Sequence, residues 1–275
     1  MGQTIACANQ KGGVGKTTTV VNLASYLALG THRVLVIDLD PQGNATSGLG
    51  VDRSSIERSM YDAIVDDAPL RDLIIQGTAE GVDIVPSAIA LAGAEIELAA
   101  VSARERRLRR LVAPVAERYD VIFIDCPPSL GLLTVNALTA ADAVLIPLQC
   151  EYYALEGLTQ LLATIDLVRD NLNPRLDLDG IVLTMYDART NLSADVAAEA
   201  RRHLGDVVYE TVIPRSVRLS EAPSHGLPIT RYAPDSRGAL AYAALAREFE
   251  ARDRGDRSAA LPPPVGSDVE ALVLS

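Results

Sequence analysis

The chain has 275 residues, with 36 acidic against 25 basic side chains, a net charge of −11 and a pI near 4.8. That balance argues against a polyanion as the default partner, and no apolar run is long enough to span a bilayer. Three cysteines without C-x-x-C spacing and the absence of Trp point to reduced thiols in a cytosol and an aliphatic core.

In chain order, Thr4–Ala8 is a short apolar run that predicts a buried parallel strand. Next comes Gln10-Lys11-Gly12-Gly13-Val14-Gly15-Lys16-Thr17-Thr18, which holds both lysines of the chain; the other 23 of its 25 basic residues are arginine. A compact ammonium and a wide planar guanidinium do not exchange where space around a phosphate is tight, so these two lysines mark a phosphate cradle. Residues 17–29 then place Val20, Leu23, Ala24 and Leu27 on one helical face. Strand, glycine loop and helix together aim backbone N–H groups and a helix N-terminus at an anion. The motif G-x-x-x-x-G-K-[ST] is nearly met, with Gln10 where its first glycine belongs and an extra lysine at Lys11.

Short helices are expected over residues 56–73 and a strand over Val82–Val85. A charged amphipathic helix is expected over residues 104–118, then a strand running into Asp125. Ala143–Leu148 predicts a further buried strand, followed by a helix over 154–171. Ile181–Met185 predicts another strand, followed by a helix over 193–204. Residues 207–213 read as a last strand and 236–252 as the last helix. This alternation predicts an α/β fold, a mostly parallel twisted sheet covered by helices on both faces. A single domain is expected over residues 1–252, with 253–275, around Pro262-Pro263-Pro264, as a disordered tail.

Five separated motifs within residues 1–252 resemble the ParA/MinD group of P-loop ATPases with a deviant Walker A loop. The loop at Lys11–Thr18 is the first. Val34–Asn44, with Asp38 and Asp40, is similar to the group's second strand and first switch. Tyr119–Ser129, with Asp125, is similar to its Walker B strand and second switch. Thr184–Asn191 and Ile213–Gly226 are similar to the chromosomal ParA proteins called Soj.

The resemblance implies ATP and Mg²⁺ as cofactors. Lys11, Gly12, Gly13, Val14, Gly15, Lys16, Thr17 and Thr18 would hold the phosphates, with Met185 and Pro214 beside the adenine. Lys11, Lys16 and Asp40 would be catalytic, Asp40 by orienting the attacking water. Thr17, Asp38 and Asp125 would serve the metal, which takes few protein carboxylates. Lys11 would reach across a homodimer to the partner's ATP, and Gly12 and Gly13 would let the two backbones approach closely.

The resemblance further implies nonspecific double-stranded DNA binding in the ATP state through Arg189, Arg215, Arg218 and Arg237. It also implies a ParB-like protein that stimulates hydrolysis, a cytoplasmic location on the nucleoid, and a role in DNA partitioning. Other readings are a positioning ATPase for another cargo, a MinD-like membrane ATPase and a P-loop metabolic ligase. The membrane reading calls for a basic amphipathic C-terminal helix, whereas residues 266–275 are short and acidic. No membrane partner is therefore expected.

Overall fold

A computed structural model describes residues 2–151 and 154–253. Six strands form one sheet: β1 (Gln3–Cys7), β2 (Val34–Asp38), β3 (Asp83–Val85), β4 (Val121–Asp125), β5 (Ala143–Gln149) and β6 (Asp177–Thr184). Their order is β3-β2-β4-β1-β5-β6 and every pairing is parallel. Register sets the site: Cys7 lies opposite Asp125, and Asp38 lies opposite Asp125 on the other side. The loop after β1 and two acidic strand ends therefore converge at the carboxyl edge of the sheet, where α/β folds bind ligands.

The helices are α1 (Lys16–Leu29), α2 (Asn44–Gly48), α3 (Met60–Asp66), α4 (Ala94–Glu97), α5 (Arg107–Val112) and α6 (Leu132–Ala140). They continue with α7 (Ala154–Asn171), α8 (Asn191–Leu204), α9 (Val217–Glu221), α10 (Ile229–Tyr232) and α11 (Arg237–Asp253). Strand side chains alternate between two cores, one on each face of the sheet. Ile5, Val34, Val36 and Phe123 pack with Val20, Leu23 and Leu27 of α1 and Phe249 of α11. Ala6, Leu35, Ile37, Ile122 and Ile124 pack with Leu133 and Ala137 of α6 and Leu161 and Ile165 of α7. Both faces are apolar, as a parallel sheet covered twice requires.

Two expected elements differ. Residues 104–118 do not form one helix: α5 is flanked by short 3₁₀ turns at Arg104–Arg106 and Ala116–Arg118. Pro114, which lacks an N–H and clashes with the preceding turn, breaks it. Residues 207–213 do not form a strand, although this segment runs beside β6 through isolated bridges from Ile181 to Val208 and from Tyr186 to Pro214. Between those bridges the Glu248 carboxylate accepts the N–H groups of Glu210 and Thr211 at 2.8 and 2.9 Å, so a continuous ladder cannot close. The expected tail lies outside the described residues, apart from Asp253, which ends α11.

Tyr209 anchors the same segment. It is fully buried, donates to Asp179 Oδ2 at 2.7 Å, and packs against Gly180, where an added Cβ would sit 2.5 Å from its ring. Gly180→Ala should therefore lower stability by about 1–3 kcal/mol through overpacking. A shift of the urea midpoint checks this; an unchanged midpoint would mean that Tyr209 moves aside freely.

Candidate nucleotide site

The loop between β1 and α1 is built by its own short-range chemistry. Asn9 donates to Pro147 O at 2.7 Å and accepts the Lys11 N–H at 3.0 Å, fixing the turn out of the strand. Thr184 donates to Val14 O at 2.8 Å and so ties the loop to the end of β6. Gly15 precedes α1 with φ 92° and no side-chain cap, a conformation that favours glycine. The first-turn N–H groups of α1 lack helical partners and face a cavity of about 330 Å³ lined by Gly13, Lys16, Thr17, Thr18, Asp40 and Pro128.

Lys16 is buried, at 5 % exposure, and donates to Lys11 O at 3.0 Å. It forms no ion pair among the described residues. A buried ammonium facing a carbonyl and a cavity is costly without a counter-charge, and an anion in that cavity would supply one. Lys11 points elsewhere, to Glu151 Oε2 at 3.0 Å, with both side chains partly exposed. The two lysines thus diverge from one loop.

Three carboxylates stand at the sheet edge. Asp125 is fully buried; Thr17 donates to its Oδ2 at 2.7 Å, while Oδ1 has no hydrogen-bond partner. Burial, reinforced by Asp38 and Asp40, holds its carboxyl well above the usual range, against the Thr17 hydrogen bond and the Lys16 charge. Asp38 is pushed up to about 6, chiefly by burial and less by Asp40, against hydrogen bonds from Thr46. Its Oδ2 accepts both the N–H and the hydroxyl of Thr46 at 2.8 and 2.6 Å, so Asp38 moors α2. Asp40 is nearly buried and accepts the Gln42 N–H at 2.9 Å.

An orphaned buried oxygen beside a threonine hydroxyl, with the Asp38 and Asp40 carboxyl groups close by, fits a hard cation with oxygen ligands. No group of three or more His, Cys, Asp or Glu is arranged as a metal cage among the described residues. Mg²⁺ is such a cation, binding through one or two carboxylates plus phosphates.

A second cavity of about 470 Å³ adjoins the first, sharing Gly15, Thr18, Met185 and Pro223, and adds Pro214, Leu219 and Tyr242. Met185 holds a left-handed φ of 51° at the end of β6, a strained conformation for a non-glycine residue. Met185 and Pro214 therefore stand together beside the phosphate loop, with room for a planar ring. A larger cavity of about 730 Å³, lined by His32, Arg33, Asp120 and Glu250 among others, lies away from the loop. It has no phosphate-binding element.

The four arginines are all exposed. Arg189 pairs with Asp187 at 2.8 Å, and Arg215 is close enough to help hold the Asp187 carboxyl below the usual range, after the larger effect of Arg189. Arg218 pairs with Glu221 at 2.9 Å. Arg237 precedes Gly238, which packs against Leu219, so it lies near Arg218. Arg215 and Arg237 form no ion pair among the described residues. Pro128 and Thr184 fall inside the quoted motifs without a role assigned to them, while Asn9 and Glu151 shape the site outside all five; of these two, only Asn9 carries a local signal, as an Asx-turn residue.

The sheet order and the lysine-bearing glycine loop define a P-loop nucleotide-binding protein of the deviant Walker A kind. Residues 2–178 match a family profile described as an AAA domain. The chain is 59 % identical over 251 residues to the sporulation initiation inhibitor protein Soj of Bacillus subtilis, covering 91 % of this chain and 99 % of that protein. It is 53 % identical over 253 residues to the chromosome partitioning protein ParA of Myxococcus xanthus, covering 92 % and 89 %. Among solved structures, cobyrinic acid a,c-diamide synthase from Mycobacterium smegmatis, with bound ADP and magnesium, superposes with a TM-score of 0.82. It is 38 % identical, and the match covers 96 % of this chain and all of that one. The chain belongs to the ParA/Soj family of P-loop ATPases.

Proposed function

We propose that this chain is a Mg²⁺-dependent ATPase of chromosome or plasmid partitioning that dimerises around ATP, binds DNA nonspecifically in that state, and is stimulated by a ParB-like partner on the nucleoid. The observation that carries the reading is the pair of diverging lysines: Lys16 buried over the cavity, and Lys11 turned outward on the same loop. Gly13 beside it has nothing within 4 Å of where a Cβ would stand, so a second backbone has room to approach. The identities to Soj and ParA support the partitioning role.

Lys16 and the free N–H groups of α1 bind the β- and γ-phosphates, and Thr18 sits by the α-phosphate. Met185 and Pro214 flank the base. Thr17 and Asp125 would hold Mg²⁺, with Asp38 supporting them through α2. The metal, when bound, neutralises charge developing on the phosphate oxygens. Asp40 orients the attacking water from the edge of the phosphate cavity. The likeness to a diamide synthase supports a second reading, an amide-forming ligase, which would couple ATP cleavage to a small acid. ATP hydrolysis without any added acid separates the two.

Asp40→Ala should cut turnover by at least about a hundredfold, the usual contribution of a positioned base, and accumulate an ATP-bound dimer because the phosphate contacts survive. Light scattering after gel filtration with ATP reads the mass. A protein that stays monomeric, or that hydrolyses ATP at the wild-type rate, would remove Asp40 from this role.

A further inference from the structure

Resting on that reading, we infer that Glu95 is a positioning residue for the switch loop that follows Asp125. The loop, residues 126–131, joins β4 to α6. Helix α6 is preceded by Gly131 at its N-cap, which supplies no side-chain cap, so its first-turn N–H groups need acceptors from elsewhere. Glu95, on α4, provides one: its Oε1 accepts the Leu133 N–H at 3.1 Å across 38 residues of sequence. A Cβ at position 131 would stand 2.3 Å from that oxygen, so the absence of a side chain there is what admits the carboxylate. An anion at a helix N-terminus is also favoured by the helix dipole. Glu95 forms no ion pair among the described residues, so no cation competes for it.

The clamp is transmitted to the loop by two contacts. Thr134, in the first turn of α6, donates to Ser129 O at 2.7 Å, binding helix and loop into one unit. Pro128 lines the phosphate cavity, and its Cβ is 3.7 Å from where a Cβ on Gly12 would stand. Glu95 thus fixes α6, α6 fixes Ser129, and the loop holds Pro128 against the lysine-bearing turn. Glu95 is itself remote from nucleotide: it is absent from the lining of both cavities. Glu95 is itself only partly buried, so the clamp sits at the margin of the core rather than in it. Its loss should loosen the loop without unfolding the sheet.

The test compares Glu95→Ala and Glu95→Gln in the full chain, reading ATP affinity with a fluorescent ATP analogue, basal ATPase kcat and KM, and amide exchange over residues 130–134. Glu95→Ala should lower kcat about fivefold, the kinetic equivalent of one lost helix cap. ATP affinity should be unchanged and exchange at Leu133 faster. Glu95→Gln, which keeps a carbonyl acceptor, should recover most of both. An unchanged kcat and unchanged exchange in Glu95→Ala would overturn the inference, as would a loss of kcat matched by an equal loss of ATP affinity. A wild-type protein without ATPase activity would overturn the parent reading instead, and the exchange measurement would still decide whether Glu95 holds α6.

Discussion

Lys16→Ala should abolish ATP binding and with it the dimer and hydrolysis, whereas Lys11→Ala should bind nucleotide as a monomer yet fail to dimerise. The difference follows from where each ammonium goes. Lys16 is buried against Lys11 O, and a charge-assisted contact to phosphate contributes about 1.5–3 kcal/mol. Losing two such contacts weakens binding by roughly a hundred- to ten-thousandfold. Among the described residues the Lys11 ammonium is held in the monomer by a partly exposed ion pair to Glu151, worth at most about 1 kcal/mol. That pair is weak enough to exchange for a partner's phosphate, and its removal leaves the fold intact. Calorimetry with ADP and ATP, together with light scattering, separates the two variants. Tight ATP binding by Lys16→Ala would refute the cradle, and a normal ATP dimer with normal turnover in Lys11→Ala would refute the cross-subunit role.

The parts of the site readable from sequence are those made by neighbours in the chain. A strand, eight loop residues and a helix are local, so Lys11 to Thr18 declare themselves, and Asp38 and Asp125 are legible as acids ending apolar runs. The contacts that tune them are not local. Glu151 meets Lys11 across 140 residues, Asn9 meets Pro147 across 138, and Glu95 reaches α6 across 38; no periodicity announces such partners. The same cause explains the missing strand at residues 207–213, where the Glu210 and Thr211 amides go to Glu248 on α11. The broken helix at 104–118 misleads differently. Leu111, Val112 and Val115 are all buried, so the apolar pattern continues across Pro114 although the helix does not. Asp38 shows a further limit: its place at the strand end is visible, but its commitment to Thr46 is a tertiary fact.

Reversing charge at Arg189 and Arg218 together should abolish DNA binding while sparing the ATP dimer and basal ATPase. A chain of net charge −11 has no general attraction for a polyanion, and the monomer's basic groups are partly spent at home. Arg189 is paired with Asp187 and Arg218 with Glu221, leaving Arg215 and Arg237 as the cations beside them. Both pairs are exposed, with Arg189 at 87 %, so each contributes little and gives way easily to phosphate. One such patch binds weakly, but two fixed on a rigid ATP dimer act at high effective concentration. Binding should therefore need ATP, show little sequence preference, and fall with salt at a log–log slope of about −0.9 per phosphate neutralised. At ~0.1 M salt each lost contact costs nearly a factor of ten, so the double variant, losing four per dimer, should weaken by about a thousandfold or more. Arg215→Glu, beside Asp187, and Arg237→Glu, at the exposed start of α11, should act in the same direction. Fluorescence anisotropy on a random-sequence duplex, without nucleotide, with ADP and with a slowly hydrolysed ATP analogue, reads all of this. Equal affinity in the ADP and ATP states would refute the switch, because the dimer would then add nothing to a monomer whose own acids already balance its arginines.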